Sequence, residues 1–234
     1  MKQHIFQMKE EDFQLRDWGG YLCFLGDEKS VGSQYFKVTA VVRMDKLIHE
    51  PHVHDDSDEI FYVLRGQGKQ LLRNEDGSDI VYDIKPGDTV FLTKNRWHGT
   101  SNYEHTRQLD MLLINYFYDG QSDKKIEGVV PRGSVIPVKT DYGRYEPVIT
   151  PKLCGTQTVC GEVLTILPGR RLKQSVEAKE ELVYNITDSV MLEIENEGEV
   201  VFSKDSEAFF FKGENYCLRN RNSEPVRLFR LRAL

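Results

Sequence analysis

Three histidines and one glutamate in this chain have the types and the spacing to hold a metal ion. His52 and His54 lie two residues apart in 51-PHVHDDSDEIFYVLRG-66. On an extended strand, side chains at i and i+2 project to one face, so the two imidazoles point together. Glu59 follows a short acidic turn and opens the next strand-like run, which can bring its carboxylate back alongside them. A fourth donor comes from 86-PGDTVFLTKNRWHGTSN-102, where His98 also sits at a strand edge after a turn. Imidazole and carboxylate donors suit one divalent transition ion, and iron, manganese, nickel, cobalt, zinc and copper are not distinguished by these residues.

Such a set gives a divalent ion a net charge of about +1 and leaves open positions for water, dioxygen or substrate oxygens. It favours an anionic or enolisable ligand: a carboxylate, a hydroxy-ketone, an enediol or a phosphorylated sugar. His49 competes by residue type but lacks the i, i+2 relation that His52 and His54 share. Asp55, Asp56 and Asp58 are ligands by type, yet the turn they occupy is expected to face solvent. His4 and His105 read as surface or turn residues, and Trp97 as a packing or pocket-rim residue. No particular catalytic residue is singled out beyond the metal ligands.

The elements that must position these donors are strands. Segments such as 35-YFKVTAVVRM-44, 59-EIFYVLRG-66, 79-DIVYDI-84, 89-TVFLTK-94 and 109-LDMLLINYFY-118 are short and rich in β-branched and aromatic residues. Turn signals separate them at Asp76-Gly77, Pro86-Gly87 and Gly99. Evenly spaced short strands predict a sandwich, jelly roll or barrel, with at most a short helix over residues 8–17. Alternation sends Phe61, Val63, Val90, Leu92 and Thr100 inward, while Arg43, Asp110 and Tyr116, on strands that would border the cavity, are expected to have surface or structural roles. Strands resume at 157-QTVCGEVLTIL-167 and run to 226-VRLFRLRAL-234. The run from Glu59 lines up with that from Glu181, and Gly87-Asp88 with Ser206-Glu207, which implies an internal duplication. The expected layout is a first barrel over 1–118, an extended connector over 119–152 and a second barrel over 153–234.

The chain has 234 residues, 39% hydrophobic and 29% charged, and a formal net charge of −6, values that suit a globular protein with a sizeable core. Basic residues form no block, so nucleic acid is not an expected partner. No apolar run approaches the roughly 20 residues needed to cross a bilayer, so no membrane association is expected. The start lacks the apolar core of a signal peptide, and Cys23, Cys154, Cys160 and Cys217 show no CxxC spacing. Reduced thiols in a cytoplasmic protein are the expectation.

Taken together, the pattern His52-x-His54-x4-Glu59-x6-Gly66 resembles the first signature of the cupin superfamily. Pro86-Gly87-Asp88 followed by His98-x3-Asn102 resembles the second, and the likeness covers roughly residues 35–118. The resemblance implies an all-β protein of two tandem cupin-type jelly-roll β-barrels, a bicupin, with one divalent metal held in the first barrel by His52, His54, Glu59 and His98. The second half resembles a cupin without its site: Gln174 and Val176 fall opposite His52 and His54, and Cys217 opposite His98.

Cupins with this ligand set include dioxygenases, decarboxylases, isomerases, epimerases, cyclases and lyases, and fold alone does not choose among them. The resemblance implies a metal-dependent enzyme on a small oxygen-rich substrate, with dioxygenase-type chemistry favoured. The alternatives are an oxygen-independent sugar or keto-acid isomerase or epimerase, and a non-enzymatic small-ligand-binding or sensor barrel. Cupin barrels often pair through sheet edges, so a homodimer is expected.

Overall fold

The computed structural model describes residues 5–74, 76–104, 107–118 and 127–234. The first half supplies β1 (Ile5–Gln7), β2 (Gln14–Leu15), β3 (Tyr21–Asp27), β4 (Phe36–Met44), β5 (Ile48–His52), β6 (Asp58–Arg65), β7 (Gly68–Arg73), β8 (Asp79–Ile84), β9 (Thr89–Leu92), β10 (His98–Ser101) and β11 (Leu109–Tyr116). The second supplies β12 (Gly128–Val130), β13 (Val138–Lys139), β14 (Gly143–Ile149), β15 (Val159–Ile166), β16 (Arg171–Ser175), β17 (Glu180–Asn185), β18 (Val190–Ile194), β19 (Gly198–Phe202), β20 (Ser206–Phe211), β21 (Asn215–Arg219) and β22 (Val226–Ala233).

Each barrel sets a seven-stranded sheet against a four-stranded one. The first pairs the order β12-β9-β6-β11-β4-β3-β2 with β5-β10-β7-β8, and the second pairs β1-β20-β17-β22-β15-β14-β13 with β16-β21-β18-β19. The chain is thus an all-β, two-barrel jelly roll. Helix is confined, among the described residues, to two single turns at Glu28–Val31 and Pro151–Cys154 and a 3-10 turn at Glu10–Asp12. The helix expected over 8–17 is otherwise absent, because this segment is held extended: β1 pairs with β20, and Met8 N–H donates to Asp205 O at 2.9 Å.

The central strands are apolar on both faces because both faces are buried. Phe61, Val63, Val90, Leu92, Met111 and Leu113 fill the first barrel, whereas Ile60, Tyr62, Phe91, Leu112, Ile114 and Tyr116 belong to a different core. That second core is the seam between the two seven-stranded sheets, completed by Leu182, Tyr184, Phe209, Phe229 and Leu231 from the second barrel. Tyr62 and Phe229 meet there with ring centroids 4.9 Å apart. Burial of such large rings drives the association of the sheets. A third core, with Val183, Phe210, Tyr216 and Leu228, lies inside the second barrel.

Four strands pair outside the segments 1–118, 119–152 and 153–234 in which the sequence put them. β1 leaves the first half to extend the second barrel's sheet, Ile5 opposite Ala208. β12, from the expected connector, joins the first barrel with Val129 opposite Val90, while β13 and β14 belong to the second barrel's sheet.

Two buried carboxylates also stitch the seam. Glu180 accepts from Ser33 Oγ at 2.6 Å and from the Gln34 N–H at 2.6 Å. Glu207 Oε1 accepts from the Gly26 N–H at 3.2 Å and lies 2.6 Å from Thr39 Oγ1. Thr39 has one hydroxyl proton and also sits 2.7 Å from Gly26 O. A protonated Glu207 that donates to Thr39 Oγ1 leaves the Thr39 proton for Gly26 O, and burial pushes this carboxyl up to about 8.

Candidate metal centre

The donors come from three neighbouring strands. β5 ends at His52 and pairs with β10 so that His52 and His98 stand opposite each other. His54 follows in the turn, and Glu59 is the second residue of β6, with Asn115 of β11 beside it. The turn holding the other acidic residues is fixed in turn: Asp58 is buried and its Oδ1 accepts from the Lys94 N–H at 2.9 Å, whereas Asp55 and Asp56 are exposed. The expectation of a solvent-facing turn therefore holds for Asp55 and Asp56 but not for Asp58.

One ligand atom from each of His52, His54, Glu59 and His98 lies within 4.8 Å of every other. Two donors about 2.1 Å from one ion are at most about 4.2 Å apart, so this spread closes onto an ion with sub-ångström movement. Glu59 approaches His54 Nε2 at 3.1 Å and His98 Nε2 at 2.9 Å. Those close contacts lack hydrogen-bond geometry, leaving His54 Nε2, His98 Nε2 and Glu59 Oε2 buried without a proper partner. Buried polar atoms are normally satisfied, so a cluster of three aimed at one point is what a ligand set looks like. This donor set fits a single divalent metal.

The ring orientations are set from outside. His52 Nδ1 lies 3.0 Å from Glu50 O and His98 Nδ1 2.8 Å from Arg96 O. An Nδ1–H donated to a carbonyl leaves the Nε2 lone pair facing the site, the usual second-layer arrangement around a metal-binding histidine. Burial opposes ionisation of Glu59, but its contacts with His54 and His98 overcome that and hold the carboxyl well below the usual carboxylate range. Contact with Glu59 raises the pKa of His54, while burial lowers that of His52. The donor atoms are thus already biased toward a cation.

The four donors floor a cavity of about 210 Å³ whose walls include Leu22, Val38, Val42, Phe61, Met111 and Leu113. Thr100 also lines it, as alternation predicted, with its hydroxyl donating to Gln70 Oε1 at 3.0 Å. Arg43, Asp110 and Tyr116 do not line it. Arg43 Nη2 pairs with Asp110 Oδ2 at 3.3 Å, and the Tyr116 hydroxyl donates to Thr158 O at 2.8 Å. Trp97 is 48% exposed and stands outside the cavity, and His4 and His105 lie outside the described residues. Asn102 is a clamp: its Nδ2 donates to Met44 O and its Oδ1 accepts from the Leu47 N–H, both at 2.9 Å, fixing the turn into β5. Gly66 holds the other end, at φ +80°, where a Cβ would meet Gln108 O at 2.1 Å.

Sequence reasoning missed Trp18, His49 and Asn115 among the cavity residues. Trp18 stacks on His49 with centroids 4.3 Å apart, and His49 packs against His52 at 4.2 Å. Burial lowers His49 to about 4, so it stands neutral at pH 7. Alternation would put His49, three residues before His52, on the opposite face, but the pairing of β5 with β10 shifts register between His98 and Thr100 and brings both imidazoles to one side.

In the second barrel the register corrects one expectation. Gln174 pairs with Tyr216, not with Cys217, so Tyr216 is the residue opposite His98. Glu181 faces Phe210 as Glu59 faces Leu92, which makes the intervening segment one residue shorter than the sequence alignment assumed. Cys217 instead faces an open groove of about 790 Å³ on the outer side of the sheet, with Lys173 and Arg219. Inside, Tyr216 donates to Glu181, and Arg230 reaches Glu162 Oε1 through Nε at 2.8 Å, Gln174 Oε1 at 3.1 Å and Glu181 Oε1 at 3.6 Å. Among the described residues no metal-competent group occurs there.

Residues 42–115 match the cupin domain family model, and they are a cupin domain; the whole chain has the bicupin fold, its first barrel with the three-histidine, one-glutamate set and its second without it. The oxalate decarboxylase of Lactobacillus farciminis, solved as a formate complex, superposes with a TM-score of 0.78 at 14% identity, over 100% of this chain and 86% of that one. A point mutant of the Bacillus subtilis oxalate decarboxylase gives 0.80 at 12% identity, over 100% and 78%. In sequence, an uncharacterized protein of Aquifex aeolicus is 33% identical over 79 residues, which is 33% of this chain and 59% of the relative. The acireductone dioxygenase of Yarrowia lipolytica is 34% identical over 68 residues, 27% of this chain and 39% of the relative. The chain therefore matches under two thirds of the length of either curated relative. No helix is long and apolar enough to cross a membrane among the described residues, and all four cysteines are free.

Proposed function

We propose that this protein is a metal-dependent enzyme whose first barrel holds one divalent ion on His52, His54, Glu59 and His98 and acts on a small oxygen-rich substrate, by dioxygenase-type chemistry. The observation that carries the reading is the convergence of four donors, three of their atoms buried without a proper partner, at the floor of a cavity with room for a small molecule. A bound ion would supply Lewis-acid polarisation of a carboxylate, hydroxy-ketone or enol oxygen and, with a redox-active metal, a place for dioxygen. The acireductone dioxygenase similarity supports the oxygen-dependent choice.

The chain's own residues do the positioning. The carbonyls of Glu50 and Arg96 hold two imidazoles in one tautomer. Asn115 Nδ2 lies 3.2 Å from Ser57 Oγ and 3.5 Å from Glu59 Oε1, which steadies the carboxylate. Apolar walls exclude water, so polar contacts made inside the cavity are stronger than in bulk solvent. His49 supplies a neutral imidazole on the cavity wall.

The test combines metal analysis of the purified protein with oxygen-electrode assays on enediols, hydroxy-ketones and 2-keto acids. One equivalent of metal, lost in His54→Ala, together with substrate-dependent oxygen uptake is expected. Turnover without oxygen in the manganese or zinc form would replace the dioxygenase reading with an isomerase one. Tight binding without turnover would replace it with a ligand-binding module.

A further inference from the structure

We infer that the substrate of this cavity has a short apolar tail behind its metal-chelating head and carries no second carboxylate. The inference rests on the metal reading above and specifies the substrate class of the same site. Beyond the donors, the lining is aliphatic, aromatic or thioether, with Trp18, His49, Thr100 and Asn115 the polar exceptions. Among the described residues no lysine or arginine lines it. The nearby Arg43 is engaged elsewhere, on Asp110 at 3.3 Å and Glu10 at 2.5 Å. A second carboxylate pushed into these walls would be a buried charge without a partner, which proteins avoid.

The second barrel provides an internal control. Leu113 stands opposite Phe61, and Arg230 stands opposite Val183, the residue that corresponds to Phe61. The same scaffold therefore accommodates a guanidinium at this level, inside, paired with Glu162 and Glu181. The first barrel places a leucine there and surrounds it with Val42, Phe61 and Met111. A thioether wall is adaptable and tolerates an aliphatic guest. The cavity, at about 210 Å³, is smaller than the roughly 300–1,000 Å³ typical of drug-sized ligands, so the tail is short. Trp18, stacked on His49, adds an uncharged ring to the lining rather than a cation.

Isothermal titration calorimetry on the zinc-loaded wild-type protein tests this with straight-chain alkyl hydroxamates, from acetohydroxamate to octanohydroxamate, which share one chelating head. Affinity is expected to rise about three- to fourfold per methylene until the cavity is full and then to stop rising. Succinic monohydroxamate, a tail of similar length ending in carboxylate, is expected to bind at least about tenfold more weakly than butyrohydroxamate. Leu113→Arg should reverse that preference; if it fails to fold, the wild-type series decides alone. A flat series, or equal affinity for the matched pair, overturns the inference while leaving the metal reading standing, provided acetohydroxamate binds. Failure of the protein to retain zinc overturns both.

Discussion

Glu59 in the first barrel and Glu181 in the second occupy matching register positions, and their surroundings have diverged. Around Glu59 stand three imidazoles and an open cavity; around Glu181 stand Tyr216, Gln174 and Arg230, closely packed. A carboxylate inside a barrel needs a partner, and the two halves supply different ones: a site for an exchangeable ion in one, a fixed guanidinium in the other. A third carboxylate sharpens the contrast. Glu207 on β20 stands opposite Tyr184 where Thr89 on β9 stands opposite Tyr62, and it is buried at the seam with no cation beside it among the described residues, so it keeps its proton. Where a cation is supplied decides whether a barrel can do chemistry or only hold its shape.

The largest effect should come from removing the fixed cation. Arg230→Ala takes the guanidinium from Glu181 and leaves Glu162 only Arg232, at 3.1 Å, and is expected to cost about 3–5 kcal/mol in urea unfolding, with the metal content of the folded protein unchanged. Unchanged stability would break the comparison. Next is the proton on Glu207. Its pKa in the folded protein is about 8 against an ordinary 4.5, so between those values the native state holds a proton that the unfolded chain has released. Stability from this group is full below about pH 4.5 and is lost as pH rises through 8, by at most roughly 5 kcal/mol. Glu207→Gln offers an amide oxygen to the Gly26 N–H and an amide N–H to Thr39 without a titrating proton, and should flatten urea-unfolding stability between pH 5 and 8.5.

The exchangeable cation comes third. His98→Ala should lower metal affinity more than about 100-fold, measured by competition with a chromophoric chelator, while the second barrel's core is untouched. The smallest effect is expected from Asn115→Ala, which leaves all four ligands but frees Glu59 to turn; a loss of about tenfold in metal affinity is anticipated. An effect as large as that of His98→Ala would make Asn115 a member of the donor set.

The cage was legible in the sequence because its donors sit at strand ends, where local spacing reports geometry. His52, His54, Glu59 and His98 needed only alternation and two turns to be brought together. The inward set Phe61, Val63, Val90 and Leu92 was legible for the same reason. Elsewhere, long-range pairing decided. Cys217 was placed one residue out because the register between β16 and β21 depends on a hairpin length that duplication does not preserve. The Arg230 network was hidden in 226-VRLFRLRAL-234, where Arg227, Arg230 and Arg232 look alike and only Arg230 is shut inside. Its one local sign was the presence of Glu162 and Glu181 within otherwise apolar strands. Trp18 and His49 reached the cavity through stacking, which leaves no periodic trace.

The exchange of β1 has a mechanical consequence. Three residues of the amino-terminal segment lace the first barrel to the far sheet, so the linker after β11 is not the sole tether between the halves. A nick in that linker would leave two fragments clasped by the shared seam and by β1, able to co-purify as one particle. The carboxy-terminal fragment expressed alone would present β20 with a bare edge, an invitation to pair with another copy. The two barrels are therefore held together by β1 and a shared core as well as by the chain between them.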